Sequence, residues 1–492
     1  MLKDPGRLAW TVLFISLAVF CATTTGIFLG ARWFLVDSTV PLTVTLFVGR
    51  GTVGVRNGTG ESAEEAERST RFLAPDARLT TDSQSQGFIT FTDSYTHEVV
   101  ASLVLHQDSS ITLGHTASPR FSFSSSPYTI TVQARGQIDV DIVPDIPRAI
   151  NFDVHSSLGW ARMSRSGRYL LTSQEDRFSV LNRAGEAVIV NRESQARSVP
   201  EGMEGRIGSE NDSIVVSRTL VDIVPDGGFD VVNPVNPSLP SGWGCYIVRD
   251  DLSAPRGSWA REVVRGRSAL HITRLEGVRN HAETGCIQNI GQPGEGLPVT
   301  QYDYLELRAT MLIRYHSLSA CGWRGSECPV MLVINYLDPY DVQRRWIHGF
   351  YARYDQAAGY PLRCDTCSLD HEKLNPDTWY TYTSGNLLQI LPEEQRPAAI
   401  LSVHFYASGH EYEVMLGEVS LLAGRTSQTG IDAATQPGPT LTLIPDPTPA
   451  TATAATSAPS ATQTPTSTAS HTPEAASPAT PEATQEIGAR LE

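Results

Sequence analysis

The 492-residue sequence is poor in the motifs that announce chemistry. It has no G-x-S-x-G, no H-E-x-x-H and no Walker phosphate loop, so serine-hydrolase, zincin and P-loop readings have nothing to rest on. It is also poor in positive charge: 38 Lys and Arg stand against 53 Asp and Glu, a net −15 at pH 7. A nucleic-acid partner would need a basic patch that releases counterions, so no nucleic acid is expected. The acidic balance instead suits an exported, soluble surface. No capped amphipathic helix can be found between 43 and 218. Long apolar runs are equally scarce, and one stretch stands out for that reason.

That stretch is Leu8 to Ala31, 24 residues with no charge until Arg32. As a helix it is roughly 36 Å long, enough for a hydrocarbon core of about 30 Å. Lys3 and Arg7 before it bias the N-terminus towards the cytoplasm. A cleaved secretory signal is the competing reading, but its apolar core is only about 7–15 residues. Phe20 also stands where a lipobox ahead of Cys21 would want a small residue. Either reading places the rest of the chain outside the cytoplasm. The expected organisation is a stub (1–7), a membrane anchor (8–36), a first β domain (43–210), a linker (211–221), a second β domain (222–424) and a tail (425–492).

Seven cysteines occur, and Cys21 falls in the apolar run. The other six, Cys245, Cys286, Cys321, Cys328, Cys364 and Cys367, all lie in the second β domain. An even number in an exported chain points to up to three disulfides. If 304–316, 330–337 and 344–354 are consecutive antiparallel strands, Cys321, Cys328, Cys364 and Cys367 cluster at one end. Two disulfides there, or a four-thiolate zinc site using the C-x-x-C at 364–367, are both open. Cys245 and Cys286 would form the remaining bridge.

From Thr43 the pattern turns to short alternating runs: TVTLFV, GFITFT, YTITVQA, QIDVDIV, AVIVN. Alternation with β-branched residues signals strands. The fold class is mainly β, with an N-terminal transmembrane helix. Gly49 to Gly54 spells G-x-G-x-x-G inside a strand pair with no following helix, so it fails the context test for dinucleotide binding. The acidic run Glu61 to Glu67 reads as a solvated loop.

Phe47-Val-Gly-Arg-Gly-Thr-Val-Gly-Val55, Gly87-Phe-Ile-Thr-Phe-Thr-Asp93, Leu103 to Leu113, Gly136-Gln-Ile-Asp-Val, Gly185-Glu-Ala-Val-Ile-Val and Pro200-Glu-Gly-Met-Glu follow one another in an order that resembles a FecR-type β domain over about 45–210. The resemblance implies an extracytoplasmic β scaffold. Sensor members carry a cytoplasmic anti-sigma segment ahead of the span; only seven residues stand there in this sequence, so signalling to transcription is not expected. The expected location is the cytoplasmic membrane of a bacterial cell, with the N-terminus inside.

A second resemblance spans about 222–424. Ile223-Val-Pro-Asp-Gly-Gly-Phe-Asp230 with Pro240-Ser-Gly-Trp243, the strand Tyr304 to Ile313, Asp377-Thr-Trp-Tyr-Thr-Tyr382 and the closing Gly409 to Leu421 resemble galactose-binding-like jelly rolls of carbohydrate-binding modules. That group often holds a structural calcium between the opening turn and the last strand. Asp226, Asp230 and Glu418 occupy the matching places and are the candidate calcium ligands; no other cofactor is called for.

Strand parity divides core from surface in this domain. Leu305, Leu307, Ala309, Met311 and Ile313 form one face; Tyr304, Glu306, Arg308 and Thr310 form the other. Leu401, Val403 and Phe405 are set against Ser402, His404 and Tyr406. Tyr412, Val414 and Leu416 point in, and Glu411 and Glu413 out. For 344–354, Trp346-His348-Phe350 and Ile347-Gly349-Tyr351 are both tenable inner sets. Sugar rings present apolar C–H faces that aromatic side chains match, so the candidate carbohydrate ligands are Glu306, Arg308, Trp346, His348, His404 and Tyr406. Core packing is the competing use of the same residues.

The last segment collapses to Thr, Pro, Ala and Ser and cannot bury enough apolar surface to order itself. The expected function is non-catalytic: a membrane-anchored binding protein whose jelly roll takes glycan at the cell envelope. A structural protein contacting other envelope proteins is the alternative. An enzyme using Glu306 and Glu413 as a glycosidase pair is a third reading, although nothing in the sequence sets their separation.

Overall fold

The computed structural model describes residues 5–58, 65–210, 212–276 and 279–425. Glu61 to Glu64 of the acidic run, most of the stub and the tail from 426 lie outside the described residues. The chain opens on the helix Pro5–Arg32, long and apolar enough to cross a membrane and buried against nothing. Its threonines are internally satisfied: the hydroxyls of Thr11, Thr23 and Thr24 donate to the carbonyls of Arg7, Val19 and Phe20. In lipid those groups would find no water, and back-bonding within the helix would satisfy them there. A wider turn, Trp33–Asp37, leads out of the helix.

The first β body runs from Thr39 to Ser217, and its ladder closes on itself around one apolar core that includes Leu46, Leu79, Ile89, Leu103, Ile138, Phe152 and Ile189. The strand Tyr128–Ile142 belongs to both of its sheets. Its first half runs parallel to Ile150–His155 and antiparallel to Ser110–Pro119; its second half is antiparallel to Val99–Leu105 and Gly167–Ser173. The change comes at Gly136, with φ 93° and a position where a Cβ would sit 2.7 Å from Ser109 Cα. Only glycine takes that backbone without strain.

The second body is a β-sandwich. One sheet orders the strands Ser258–Val264, Arg267–Arg274, Tyr412–Gly424, Tyr304–His316 and Tyr380–Thr383, with Leu220–Asp222 added beside Tyr412–Gly424. The other orders Gly244–Arg249, Ala282–Asn289, Ala399–Gly409, Val330–Leu337, Gln343–Tyr351 and Glu372–Lys373. Phe229, Trp243 and Phe405 form a ring cluster between them, with centroids 5.0 to 5.8 Å apart. The parity reading holds for Leu305 to Ile313 and for Tyr412, Val414 and Leu416, all in the sandwich core. It slips at one place. Ser402 pairs with Asn335 but Ile400 pairs with Tyr336, so a bulge puts Ile400 inside and leaves Leu401 half-exposed.

The segment read as a linker is ordered by strand addition. Ile214–Ser217 pairs with Met203–Gly208 of the first body, and Leu220–Asp222 pairs with the last strand of the second. Between the bodies lies a small apolar core of its own: Phe88 and Val104 from the first with Ala269, Leu312, Trp379 and Met415 from the second. Gln86 adds a pair of bonds to the backbone of Thr381, donating to its carbonyl at 2.8 Å and accepting its N–H at 2.7 Å. The outer face of the first-named sheet is therefore covered by the neighbouring body.

Candidate functional site

The covering of that sheet decides the fate of two predicted ligands. Arg308 is 1% exposed. Its guanidinium donates to Asp139 of the first body at 2.7 Å and lies 3.3 Å from Glu306. Glu306 also accepts from the Tyr304 hydroxyl at 2.7 Å. Arg308 and Glu306 are corrected from sugar ligands to parts of an interface ion-pair network. An arginine held between two carboxylates and buried under the neighbouring body has no open surface from which to meet a ligand. His106 joins the network at 3.0 Å from Asp139. The arginine and histidine together hold the Asp139 carboxyl far below the usual range, against the opposing effect of burial.

Trp346 and His348 are corrected as well. The strand Gln343–Tyr351 turns Trp346, His348 and Phe350 inward, settling its parity. His348 stacks on Tyr382 at 4.9 Å and meets Phe350 edge-on at 4.8 Å. These rings fill the sandwich, and core packing is their use.

The calcium reading meets a different obstacle. Asp226 accepts the backbone N–H groups of Asp230 and Val231 at 2.9 and 3.1 Å through one oxygen, while its other oxygen is buried without a partner. That orphan oxygen would suit a cation. The other two carboxylates already have cations, both from the first body: Glu418 bonds Arg183 and lies 3.9 Å from Arg168, and Arg168 is 3.4 Å from Asp230. Nor do the oxygens of Asp226, Asp230 and Glu418 gather within 4.8 Å as the ligands of one ion would. The three residues do not fit a calcium site; guanidinium groups stand where the ion would be needed.

The six cysteines form three disulfides, Cys245–Cys286, Cys321–Cys328 and Cys364–Cys367, which suits an oxidising compartment. His371 lies within 4.8 Å of the latter two pairs. Its Nδ1 accepts the Gly349 N–H at 3.0 Å, so Nε2 carries the proton and donates to the Gly325 carbonyl at 2.6 Å. A metal-bound imidazole needs the reverse, a donor on the nitrogen facing away from the ion. With its sulfurs bonded to one another, this cluster is a structural staple.

What remains of the predicted set is on the outer face of the second sheet, which the first body does not cover. Tyr246, His404 and Tyr406 make a row of rings across it, with centroids 5.4 and 5.1 Å apart. Burial, aided by Arg345, lowers His404 to about 4, so it is neutral near pH 7. One proton order satisfies the group: His404 Nε2–H donates to the Tyr246 oxygen, and the Tyr246 hydroxyl donates to Glu283 at 2.5 Å. Gly285 lies under the row; a Cβ there would come 2.5 Å from Tyr406 Cβ and 2.9 Å from the Tyr246 hydroxyl. The stapled loops carrying Cys321, Cys328, Cys364 and Cys367 pack on Met331, Val333, Ile347 and Tyr351 of the same face, with Tyr406 at their edge. The result is a shelf of half-buried rings and polar groups with a disulfide-held wall at one side.

Parity found His404 and Tyr406 but missed Tyr246, Glu283, Gly285 and Arg345. The signal for three of them was present. The expected Cys245–Cys286 bridge joins residues that face each other across two strands, which puts Tyr246 opposite Gly285 and Val248 opposite Glu283.

The geometry thus defines a class: an all-β chain of two abutting bodies behind an apolar helix, the outer body a disulfide-stapled sandwich with one covered and one open face. No known protein family matches the sequence, and no curated protein matches it. Among solved structures, the chain is similar to a putative anti-sigma factor from Parabacteroides distasonis, with 12% identity, 29% of this chain and 59% of that one covered, and a TM-score of 0.22. It therefore spans less than two thirds of that structure. It is also similar to the CBM22-1 xylan-binding domain of Paenibacillus barcinonensis Xyn10C (9% identity, 43% and 99% covered, TM-score 0.23). A third neighbour is TmCBM61 in complex with β-1,4-galactotriose (8% identity, 41% and 97% covered, TM-score 0.21). Likenesses at this level carry no weight for function.

Proposed function

We propose that the chain is a membrane-anchored, extracytoplasmic, non-catalytic binding protein that holds a polysaccharide against the open face of its sandwich. The observation that carries the reading is the row Tyr246–His404–Tyr406, three half-buried rings on the outer face of the second sheet. Aromatic faces flanked by a carboxylate and an arginine suit the alternation of C–H patches and hydroxyls on a sugar chain. Glu283 and Arg345 flank the row here, each able to meet hydroxyl groups. The N-terminal helix supplies the anchor, and the disulfides suit the outer compartment.

Affinity electrophoresis of the full chain in detergent, through gels containing soluble xylan, galactan and cell-wall polysaccharides, tests the proposal. Retardation by at least one polysaccharide, lost in Tyr406→Ala with the thermal transition unchanged, is the expected result. Unretarded migration in every gel would refute sugar binding and favour an envelope scaffold.

A further inference from the structure

We infer that the loop 120–126 makes a second contact with the membrane: Phe121 and Phe123 enter the lipid interface beside the point where the N-terminal helix leaves the bilayer. This rests on the anchor part of the reading above and is independent of the glycan part.

The apolar run ends at Ala31, and the next aromatic residues, Trp33 and Phe34, are 63% and 46% exposed. Phe121 packs edge-on against Phe34 at 5.4 Å, and Phe123 stacks on Phe121 at 5.3 Å. A continuous apolar patch thus runs from the end of the helix onto the β body. Phe123, at its far end, is 67% exposed.

That exposure does not come from a slack loop. The loop is tied to the helix end, with the Arg120 N–H donating to Ser38 at 2.9 Å and the hydroxyls of Ser124 and Ser126 donating to the Val36 carbonyl at 2.6 and 3.1 Å. From the other side the Arg148 guanidinium donates to the carbonyls of Ser122 at 3.0 Å, Ser126 at 3.0 Å and Ser124, with Phe121 at 3.5 Å. Four carbonyls are gathered by one side chain, while Phe123 is held outward and Phe121, half-buried, bridges it to Phe34. In water that arrangement is unfavourable, because the Phe123 ring gains nothing from its exposure.

At the headgroup level the balance reverses. Aromatic rings concentrate there, and cationic side chains favour the adjacent phosphates. Arg120 lies over the Phe34 ring at 5.6 Å, placing a guanidinium at the rim of the patch. The lipid interface is the occupant because the patch is continuous with the exit of the span itself. Two contacts rather than one would restrict swivelling of the β bodies about the helix.

The test uses the full chain with Cys21→Ser in phosphatidylcholine nanodiscs, spin-labelled in turn at Phe20→Cys, Phe123→Cys and Tyr340→Cys. Accessibility to oxygen and to a water-soluble nickel complex is read by electron paramagnetic resonance. Label 123 is expected to show about threefold lower nickel accessibility than label 340, with oxygen favoured, because the interface excludes the polar nickel complex and takes up oxygen. Ser122→Cys gives a second reading of the same loop should Phe123→Cys fail to fold. If the loop labels match label 340 while label 20 is immersed in lipid, the loop contact is overturned and the anchor stands. If label 20 is itself open to nickel, the anchor fails and the loop contact fails with it.

Discussion

Removal of the Arg308 guanidinium is the sharpest test of how the two bodies are joined. In Arg308→Met the Asp139 carboxylate keeps only His106, and Glu306 keeps only the Tyr304 hydroxyl, both under the covering body. Taking one partner from a buried ion pair costs about 3–5 kcal/mol, because the remaining charge is left desolvated. At about 2–4 °C per kcal/mol for bodies of this size, the melting temperature should fall by about 6–20 °C. Calorimetry of the full chain in detergent reads it directly. The companion is Arg308→Met with Asp139→Leu, which removes both charges and should recover much of the loss, since paired apolar replacements of buried ion pairs are often neutral. A loss below about 1 kcal/mol, in the range of solvent-exposed pairs, would show that water reaches the pair and that the bodies do not seal against each other. A double variant as unstable as the single would show that the damage comes from lost side-chain shape.

Acid should weaken the fold in two stages. Burial lowers His316 and His404 to about 4, and backbone N–H groups of Ala352 and Arg353 point at His316 Nε2. Their folded values lie below the unfolded value, so the unfolded chain binds more protons. Stability is full above about 6.5 and is lost as pH falls towards 4, by about 3 kcal/mol per histidine. Asp139 and Glu418, lowered despite burial by Arg308 and Arg183, give up their contribution only below the usual carboxylate range. Urea midpoints at pH 7.5, 5 and 3 would show both stages, and a flat profile from 7.5 to 5 would refute the first. Among the disulfides, Cys245–Cys286 closes 41 residues against 7 and 3 for the others. The chain-entropy relation gives it about 4 kcal/mol and the others about 2 each, so replacing both its cysteines by Ala should lower the melting temperature most. Gly285→Ala should cost about 1–3 kcal/mol through overpacking against the Tyr406 Cβ and the Phe405 carbonyl. It should also abolish gel retardation, whereas an unchanged binding profile would place the sugar elsewhere.

The class of fold was legible because alternation is a local signal. Leu305 to Ile313 and Tyr412 to Leu416 each show their inner face in five to nine consecutive letters, and burial in the structure follows them. Leu401 broke the rule because a bulge depends on the neighbouring strand, and Asn335 and Tyr336 lie more than 60 positions away. The larger error has the same origin. Parity states which residues share a face and is silent on what covers it. Glu306 and Arg308 were placed on the correct side of their strand, but that side meets Asp139, 169 positions earlier in the chain.

The calcium expectation failed for a related reason, and its failure is informative. Glu418 on the last strand is buried near the opening turn of the second body, and a buried carboxylate needs a positive partner. Here Arg183 supplies it from 235 positions away, with Arg168 beside it. Docking of the first body takes Glu418 out of water, and Arg183 and Arg168, which come with that body, supply the opposite charge that a buried carboxylate needs. In this chain the neighbouring body meets that need, so the acidic turn of the second body and the arginines of the first make sense only together. The pairing at Glu418 and the pairing at Asp139 run in opposite directions across the same interface, arginine to carboxylate and carboxylate to arginine. That complementarity fixes one docking register for the two bodies, and a third pair, Arg50 of the first body with Glu372 at the edge of the ring-bearing sheet at 2.6 Å, adds to it.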